Sequence, residues 1–215
     1  MADAPEHKQI EYGVYVPSDA EATVQLLGEV FSRHDPPAVA VALTAPEFEE
    51  FVRLLCPKVA TDALTIVARL TGTGELVGAL LTEDSASALP DGMDRLSAKF
   101  TPIFDILGQL DTEYRAGRTV RPGEFLHLFL LGVSDRVAGR GVAQQLVMAC
   151  LEHGKRRGYQ VAVTEATNRV SQHIFRKQGF AERVKRSYAA HHFDGRHAFA
   201  SIAEHGGPIL MDKSL

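Results

Sequence analysis

The amino-acid sequence predicts an α/β fold: a single mixed, mostly antiparallel central sheet of about seven strands, flanked by helices. Three observations lead there. Segments in which apolar residues alternate are interleaved with segments in which they recur every three or four positions. Residues 125–133, FLHLFLLGV, are almost wholly apolar, the pattern of a central strand buried on both faces. Between that strand and the next helical segment stands a loop with two glycines, SDRVAGRG.

Taken in order, residues 10–16 alternate as a first strand, and Ser18 or Asp19 can cap a helix over residues 20–32. Val24, Leu27, Val30 and Phe31 make one apolar stripe on that helix. Asp35-Pro36-Pro37 stops it, because proline lacks the N–H and biases its predecessor away from helix. A second helix over residues 47–56 has Pro46 near its first turn. Residues 64–70 and 75–82 form a hairpin across Thr71-Gly72-Thr73-Gly74. Residues 83–124 then interrupt the strand order with a polar stretch and a helix over 97–116, far longer than the usual connection of about 4–6 residues. Such an insertion covers a binding site or simply one face of the sheet. After the central strand come a helix over residues 141–157, a strand over 159–166 and a short helix over 170–178 closed by Gly179. Alternation resumes over 184–190, 197–203 and 208–212.

A chain of 215 residues suits one domain, with 45% hydrophobic and 23% charged residues as in ordinary globular proteins. The net charge of −4 supplies no basic field for a phosphate backbone, so nucleic acid is not an expected partner. Cys56 and Cys150 lie in apolar helical segments and read as free thiols of a reducing compartment. The polar stretch 1–11 lacks the apolar core of a signal peptide, and no run approaches the roughly 18 apolar residues of a membrane span. A cytoplasmic location and no membrane partner are the expectation. The histidines near the C-terminus (His191, His192, His197, His205) have no metal-motif spacing, so no metal is expected.

The glycine loop suggests an anion site. Glycines let backbone approach a ligand, and the first N–H groups of a helix have no internal partners and point outward with the dipole behind them. A dinucleotide fold would place G-x-G-x-x-G near the start of the chain, and a phosphate-binding P-loop needs Gly-Lys-Ser/Thr; neither is present. What is present is Arg136-x-x-Gly139-x-Gly141-Val142-Ala143, then Asn168-x-x-Ser171-x-x-x-Phe175-x-x-x-Gly179-Phe180.

These two segments resemble the Q/R-x-x-G-x-G/A and N-x-x-A/S-x-x-x-Y/F-x-x-x-G-F signatures of the Gcn5-related N-acetyltransferase (GNAT) superfamily, in the right order and on the right elements. Only residues 125–180 carry specific motifs, although the likeness spans nearly the whole chain. The resemblance implies the GNAT fold and acetyl-CoA as acetyl donor. Leu131, Gly132 and Val133 would then run along the pantetheine arm, with Ser171 and Phe175 beside it. The amides of Val137, Ala138, Gly139, Arg140, Gly141, Val142 and Ala143 would hold the pyrophosphate, with Arg136 and Arg140 adding charge. Asn168 would touch the pantetheine, although Asn168 and Ser171 also read as a plain helix cap. Within the superfamily, the Phe31-x-x-x-Asp35-Pro36 segment, the long insertion and a C-terminal hairpin around Phe193-Asp194-Gly195-Arg196 look like the insect arylalkylamine N-acetyltransferases. Homodimers are common in the superfamily, and no feature here identifies an interface.

Acetyl transfer to an amine needs a base for the amine and an acid for the departing thiol. Many GNAT enzymes carry an acidic tyrosine where this chain has Phe175, which cannot donate a proton. Ser171 or Thr167 could take that role, or the thiol, with a pKa of about 8.5, could leave unaided. The base is Asp35, in the segment where the arylalkylamine type carries a glutamate, or His127, which a regular strand puts on one face with Phe129, Leu131 and Val133. A small-molecule amine is the expected acceptor, since a helical insertion makes a closed pocket. The alternatives are a protein or peptide N-acetyltransferase and a silent acetyl-CoA-binding module.

Overall fold

The computed structural model describes residues 9–215; the first eight residues of the polar N-terminal stretch lie outside it. Seven strands form one sheet in the order β1-β2-β3-β4-β5-β7-β6. They are β1 (Ile10–Val14), β2 (Ile66–Leu70), β3 (Leu76–Asp84), β4 (Phe125–Val133), β5 (Val161–Ala166), β6 (Ala181–Lys185) and β7 (Ile209–Ser214). Every neighbouring pair is antiparallel except β4 and β5. The helices are α1 (Ala20–His34), α2 (Pro36–Ala40), α3 (Ala45–Asp62), α4 (Thr101–Arg115), α5 (Val142–Arg156) and α6 (Arg169–Lys177). One face of the sheet buries the apolar sides of α1 and α3 around Leu27, Phe48, Val52, Leu81 and Leu130. The other face packs on α5 and α6 through Leu80, Leu126, Leu128, Leu146 and Phe175.

β4 is the fourth of seven strands, as its apolar run predicts, but it is not buried on both faces along its length. Its alternate residues His127, Phe129, Leu131 and Val133 are only half-buried. Nor do they share a face. Leu81 pairs with Leu130 whereas Thr82 pairs with Leu128, so Phe129 is an extra residue on β4, a β-bulge. A bulge reverses the alternation: Leu126 and Leu128 join the core under α5, whereas Leu130 joins the core under α1. Leu131 and Val133 consequently pack on the α5 side. The parallel pairing of β4 with β5 ends at His127 and Val163. Beyond it only the Thr164 hydroxyl bridges the strands, donating to the Leu128 carbonyl at 2.7 Å. From there the two strands part.

Several local expectations are revised. Asp19 does not cap α1 with its side chain; its carboxylate accepts from Val16 N at 2.8 Å and pairs with Arg69 on β2. α3 runs through Pro57 to Asp62, because Val59 on its last turns is buried in the core and outweighs the one backbone bond that proline removes. Residues 197–203 are not a strand. Phe193 and Arg196 form a single bridge, and a 3-10 turn follows over Ala200–His205. The apolar residues of this stretch serve the core instead: Tyr188 and Phe199 are fully buried, their rings 5.4 Å apart.

Candidate active site

The parting of β4 from β5 opens two adjoining cavities. One, of about 580 Å³, lies between Leu131 and Val133 of β4, Ala143 of α5, and Asn168, Ser171 and Ile174 of α6. The other, of about 530 Å³, lies under α1, α3 and α4, with Asp35, His127, Glu165 and Thr167 on its walls among the rings of Phe31, Phe48, Phe100 and Phe104. His34, Leu131, Asn168 and Ser171 line both.

In the loop that leads to Ala143 of the first cavity, Gly139 and Gly141 have φ of +75° and +74°, the left-handed region that disfavours any side chain. A Cβ added to Gly139 would meet nothing within 4 Å, so the backbone there faces open space. Gly141 is the N-cap of α5, and the first helical bond runs from Gln145 N to Gly141 O at 3.1 Å. The amides of Val142, Ala143 and Gln144 precede that bond and have no partner inside the helix. Val137 and Val142 turn their side chains into the core, and Ala138 is exposed. The Arg136 guanidinium is paired with Glu75 at the β2–β3 turn, which offsets its charge. Arg140 lies near enough to Tyr12 to oppose the rise that burial causes in its phenol's pKa. Gly132 has a packing role: a Cβ there would come within 2.5 Å of Leu27 Cδ2, so the Leu27 side chain of α1 occupies the space that glycine leaves on β4.

Asn168 is the N-cap of α6. Its Oδ1 accepts from Ser171 N at 2.8 Å, and the Ser171 hydroxyl donates to the Asn168 carbonyl at 3.0 Å. The cap therefore exists, and it sets both side chains at the junction of the cavities. Phe175 packs edge-on against Phe180, with ring centroids 5.0 Å apart, and lines the second cavity.

Asp35 is buried between α1 and α2, where the two prolines force the chain to turn. Its Oδ2 accepts from Ala38 N at 3.3 Å, capping α2, and its Oδ1 accepts from the Thr167 hydroxyl at 2.6 Å. Burial penalises the carboxylate and pushes its pKa up to about 6, although both hydrogen bonds pull the other way. Thr167 is held in turn by Tyr188, whose hydroxyl donates to the Thr167 carbonyl at 2.7 Å.

His127 sits farther down β4 between two carboxylates, with Nδ1 3.2 Å from Glu83 and Nε2 2.6 Å from Glu165. Burial alone would lower the imidazole's pKa, but the charge and hydrogen bonds of Glu165 and Glu83 outweigh it and push it up to about 10. Both ring nitrogens thus carry protons at neutral pH, and neither is available to accept another. The face shared with Leu131 that supported a role for His127 as base is removed by the bulge at Phe129.

Asp35, His127, Leu131, Thr167, Asn168, Ser171 and Phe175 all line the second cavity. Asp35 reaches the junction through its bond to Thr167, the neighbour of Asn168, whereas His127 precedes Leu131 by four residues on β4 and is bonded to Glu83 and Glu165 instead. Sequence reasoning missed His34, whose Nε2 is 3.1 Å from Asp135 of the glycine loop, together with Tyr188, Glu83 and Glu165. Only Glu165 had a readable signal, since it stands near the end of a strand two residues before Thr167. Among the described residues no group of three or more His, Cys, Asp or Glu is arranged to hold a metal ion, and no helix is long and apolar enough to cross a membrane.

Residues 34–180 match the model of the acetyltransferase (GNAT) family. Solved structures similar to the chain include the C-terminal condensation domain of Ebony in complex with β-alanyl-dopamine, with TM-score 0.87 and 14% identity over 96% of this chain and 99% of that one. Arylalkylamine N-acetyltransferase 2 from Aedes aegypti gives 0.80 and 21% over 96% and 99%. The Drosophila melanogaster polyamine N-acetyltransferase gives 0.76 and 18% over 96% and 100%. At such identities the likeness is one of fold.

Proposed function

The chain belongs to the acetyltransferase (GNAT) family, and from that premise we propose that it transfers an acetyl group from acetyl-CoA to the primary amine of a small molecule, with Asp35 as general base. The observation that carries this reading is the hydrogen-bonded pair of Asp35 and Thr167, on the wall of the acceptor cavity where it adjoins the half-buried edge of β4.

The residues of the first cavity fit acetyl-CoA. Two positive-φ glycines and the first amides of α5, which have no partner inside the helix, suit a pyrophosphate, and the β5-facing side of β4 at Leu131 and Val133, beyond the end of the β4–β5 pairing, offers backbone groups to an amide-bearing arm. Bound acetyl-CoA supplies a thioester carbon for attack and a thiol as leaving group. On the protein's side, Asp35 is a stronger base than an ordinary aspartate yet is mostly ionised at neutral pH, which suits removal of a proton from the acceptor ammonium. The Thr167 hydroxyl, already donating to Asp35, can hand its own proton toward the departing sulfur and be refilled from the protonated carboxyl. Ser171 is the other donor at the junction. His127, protonated between two carboxylates, is not assigned as base.

The insertion 83–124 acts as the lid of the acceptor cavity. Met93 and Leu89 from its loop, with Phe104 and Leu107 from α4, line the cavity opposite the sheet, and a lidded space of about 530 Å³ suits a small amine better than a peptide. The two buried thiols suit a cytoplasmic location.

The test begins with calorimetric titration of acetyl-CoA into the wild type and a Gly139→Glu variant. The substitution forces a side chain into left-handed backbone, at about 1 kcal/mol, and sets a carboxylate where a pyrophosphate would lie. A loss of acetyl-CoA affinity of about 100-fold, with the fold intact by circular dichroism, is expected, together with thiol release on a panel of primary amines. Unchanged affinity in the variant would sink this placement of the donor.

A further inference from the structure

The acceptor cavity has a charged array that acetyl transfer leaves unused. Glu83, His127 and Glu165 stand on its wall away from the junction with the donor cavity. Protonated His127 is held from both sides, and Lys58, 3.4 Å from Glu83, is itself shared with Asp62 at 2.5 Å. Two carboxylates around one imidazolium leave a net negative charge. Glu165 is only 11% exposed, and its Oε2 takes the imidazole. No described residue donates a hydrogen bond to its other oxygen, Oε1. That oxygen is not fully buried but stands open to the cavity, where a ligand that brings a donor meets a charged acceptor beside a largely apolar space.

Position indicates which part of the ligand that would be. Glu165 precedes Thr167 by two residues, a rise of about 7 Å along an extended chain, and His127 precedes Leu131 on β4 by four, about 13 Å before allowing for the bulge. The array therefore lies about 7–13 Å from the reacting centre, with the Phe129 ring 5.6 Å from that of His127 and the Phe48 and Phe100 rings on the opposite wall.

We propose that Glu165, oriented by His127 and Glu83, is a specificity-determining residue that accepts a hydrogen bond from a hydroxyl or amino group at the end of the acceptor distal to its reacting amine. The acceptors are thus bifunctional: an amine at Asp35, an apolar middle between the rings, and a donor at Glu165. This rests on the acetyltransferase reading for which amine reacts, but not for the subsite itself.

The experiment compares matched acceptors, a phenylalkylamine against its para-hydroxyl counterpart and an alkylamine against the diamine of equal length, in the wild type and in Glu165→Gln and His127→Gln variants. Calorimetric binding of each amine to the protein without acetyl donor is measured beside kcat and KM. The wild type should favour at least one donor-bearing member by tenfold or more, as a hydrogen bond to a charged group allows. The hydroxyl arm and the diamine arm then tell a phenol from a second ammonium. Glu165→Gln should shrink that preference to below about threefold through KM rather than kcat, leaving the donor-free acceptor and the KM for acetyl-CoA unchanged. Equal wild-type affinity for both members of each pair, or an equal loss for both in the variant, overturns the proposal. Preserved discrimination in binding without any acetyl transfer would strike the proposed reaction and leave this subsite standing.

Discussion

Replacing Asp35 with asparagine should make the protein more stable and nearly inactive, and the size of the first effect should depend on pH. Burial raises the Asp35 pKa from 3.8 to about 6, so the fold prefers the neutral carboxyl. The stability this group contributes is complete below its unfolded pKa and is lost as pH rises through about 6. Once the group is ionised in both states, the shift amounts to about 3 kcal/mol. Asparagine does not titrate. It can keep the α2 cap by accepting from Ala38 N with its oxygen, and can donate its amide to a rotated Thr167 hydroxyl. The gain over wild type should be about 3 kcal/mol at pH 8, about 1.5 kcal/mol at pH 5 and about 0.5 kcal/mol near pH 4. For a domain of this length that is a rise in Tm of about 6–12 °C at pH 8, shrinking to a few degrees at pH 5. Thermal unfolding of both proteins across that range measures it, while kcat/KM for amine acetylation should fall by about 100-fold or more and lose its rising limb near pH 6. A stability difference that stays constant with pH, or an Asp35→Asn variant that keeps its activity, would refute the burial argument or the base assignment respectively.

Thr167→Ala removes a hydroxyl whose hydrogen bond holds the Asp35 pKa down, so the acidic limb of the kcat/KM profile should move to higher pH and the rate at pH 7 should drop about tenfold; an unmoved limb would mean that Asp35 is not the titrating base. Gly132→Ala puts a Cβ 2.5 Å from the fully buried Leu27, an overpacking that should cost about 1–3 kcal/mol in thermal unfolding, and a variant as stable as wild type would show that α1 can shift off β4 at no cost.

Much of the architecture was legible in the linear pattern, because strands and helices report their burial through periodicity and the glycine loop reports its backbone need directly. Six of the seven strands and four of the five longer helices lie within a few residues of where alternation, capping and proline put them, and α3 runs six residues past its expected end. The segment 197–203 misled for a definite reason: alternate apolar residues need not pair as a strand when a loop can turn Phe199 and Ile202 into the core beside Tyr188. Gly139, Gly141 and Asn168 were legible for the same reason, two in left-handed backbone and one as a cap, whereas the amides of Val137, Ala138 and Arg140, expected to face a ligand, close turns onto Ser134, Asp135 and Val137.

What no local pattern could reveal was the acceptor side. The ionisation of Asp35 and of His127 depends on Thr167, Glu83 and Glu165, which lie 132, 44 and 38 residues away in the chain. The face that His127 presents depends on one extra residue in β4, and that residue is visible only in the register against β3. The sequence by itself determined most of the strands and helices and the two glycines in left-handed backbone before α5, because those features are settled within a few neighbouring residues. Only the tertiary structure decided how the titratable groups are held, Asp35 as a buried carboxyl bonded to Thr167 and His127 between two carboxylates, because a pKa is set by burial and by charges that folding brings in from distant parts of the chain.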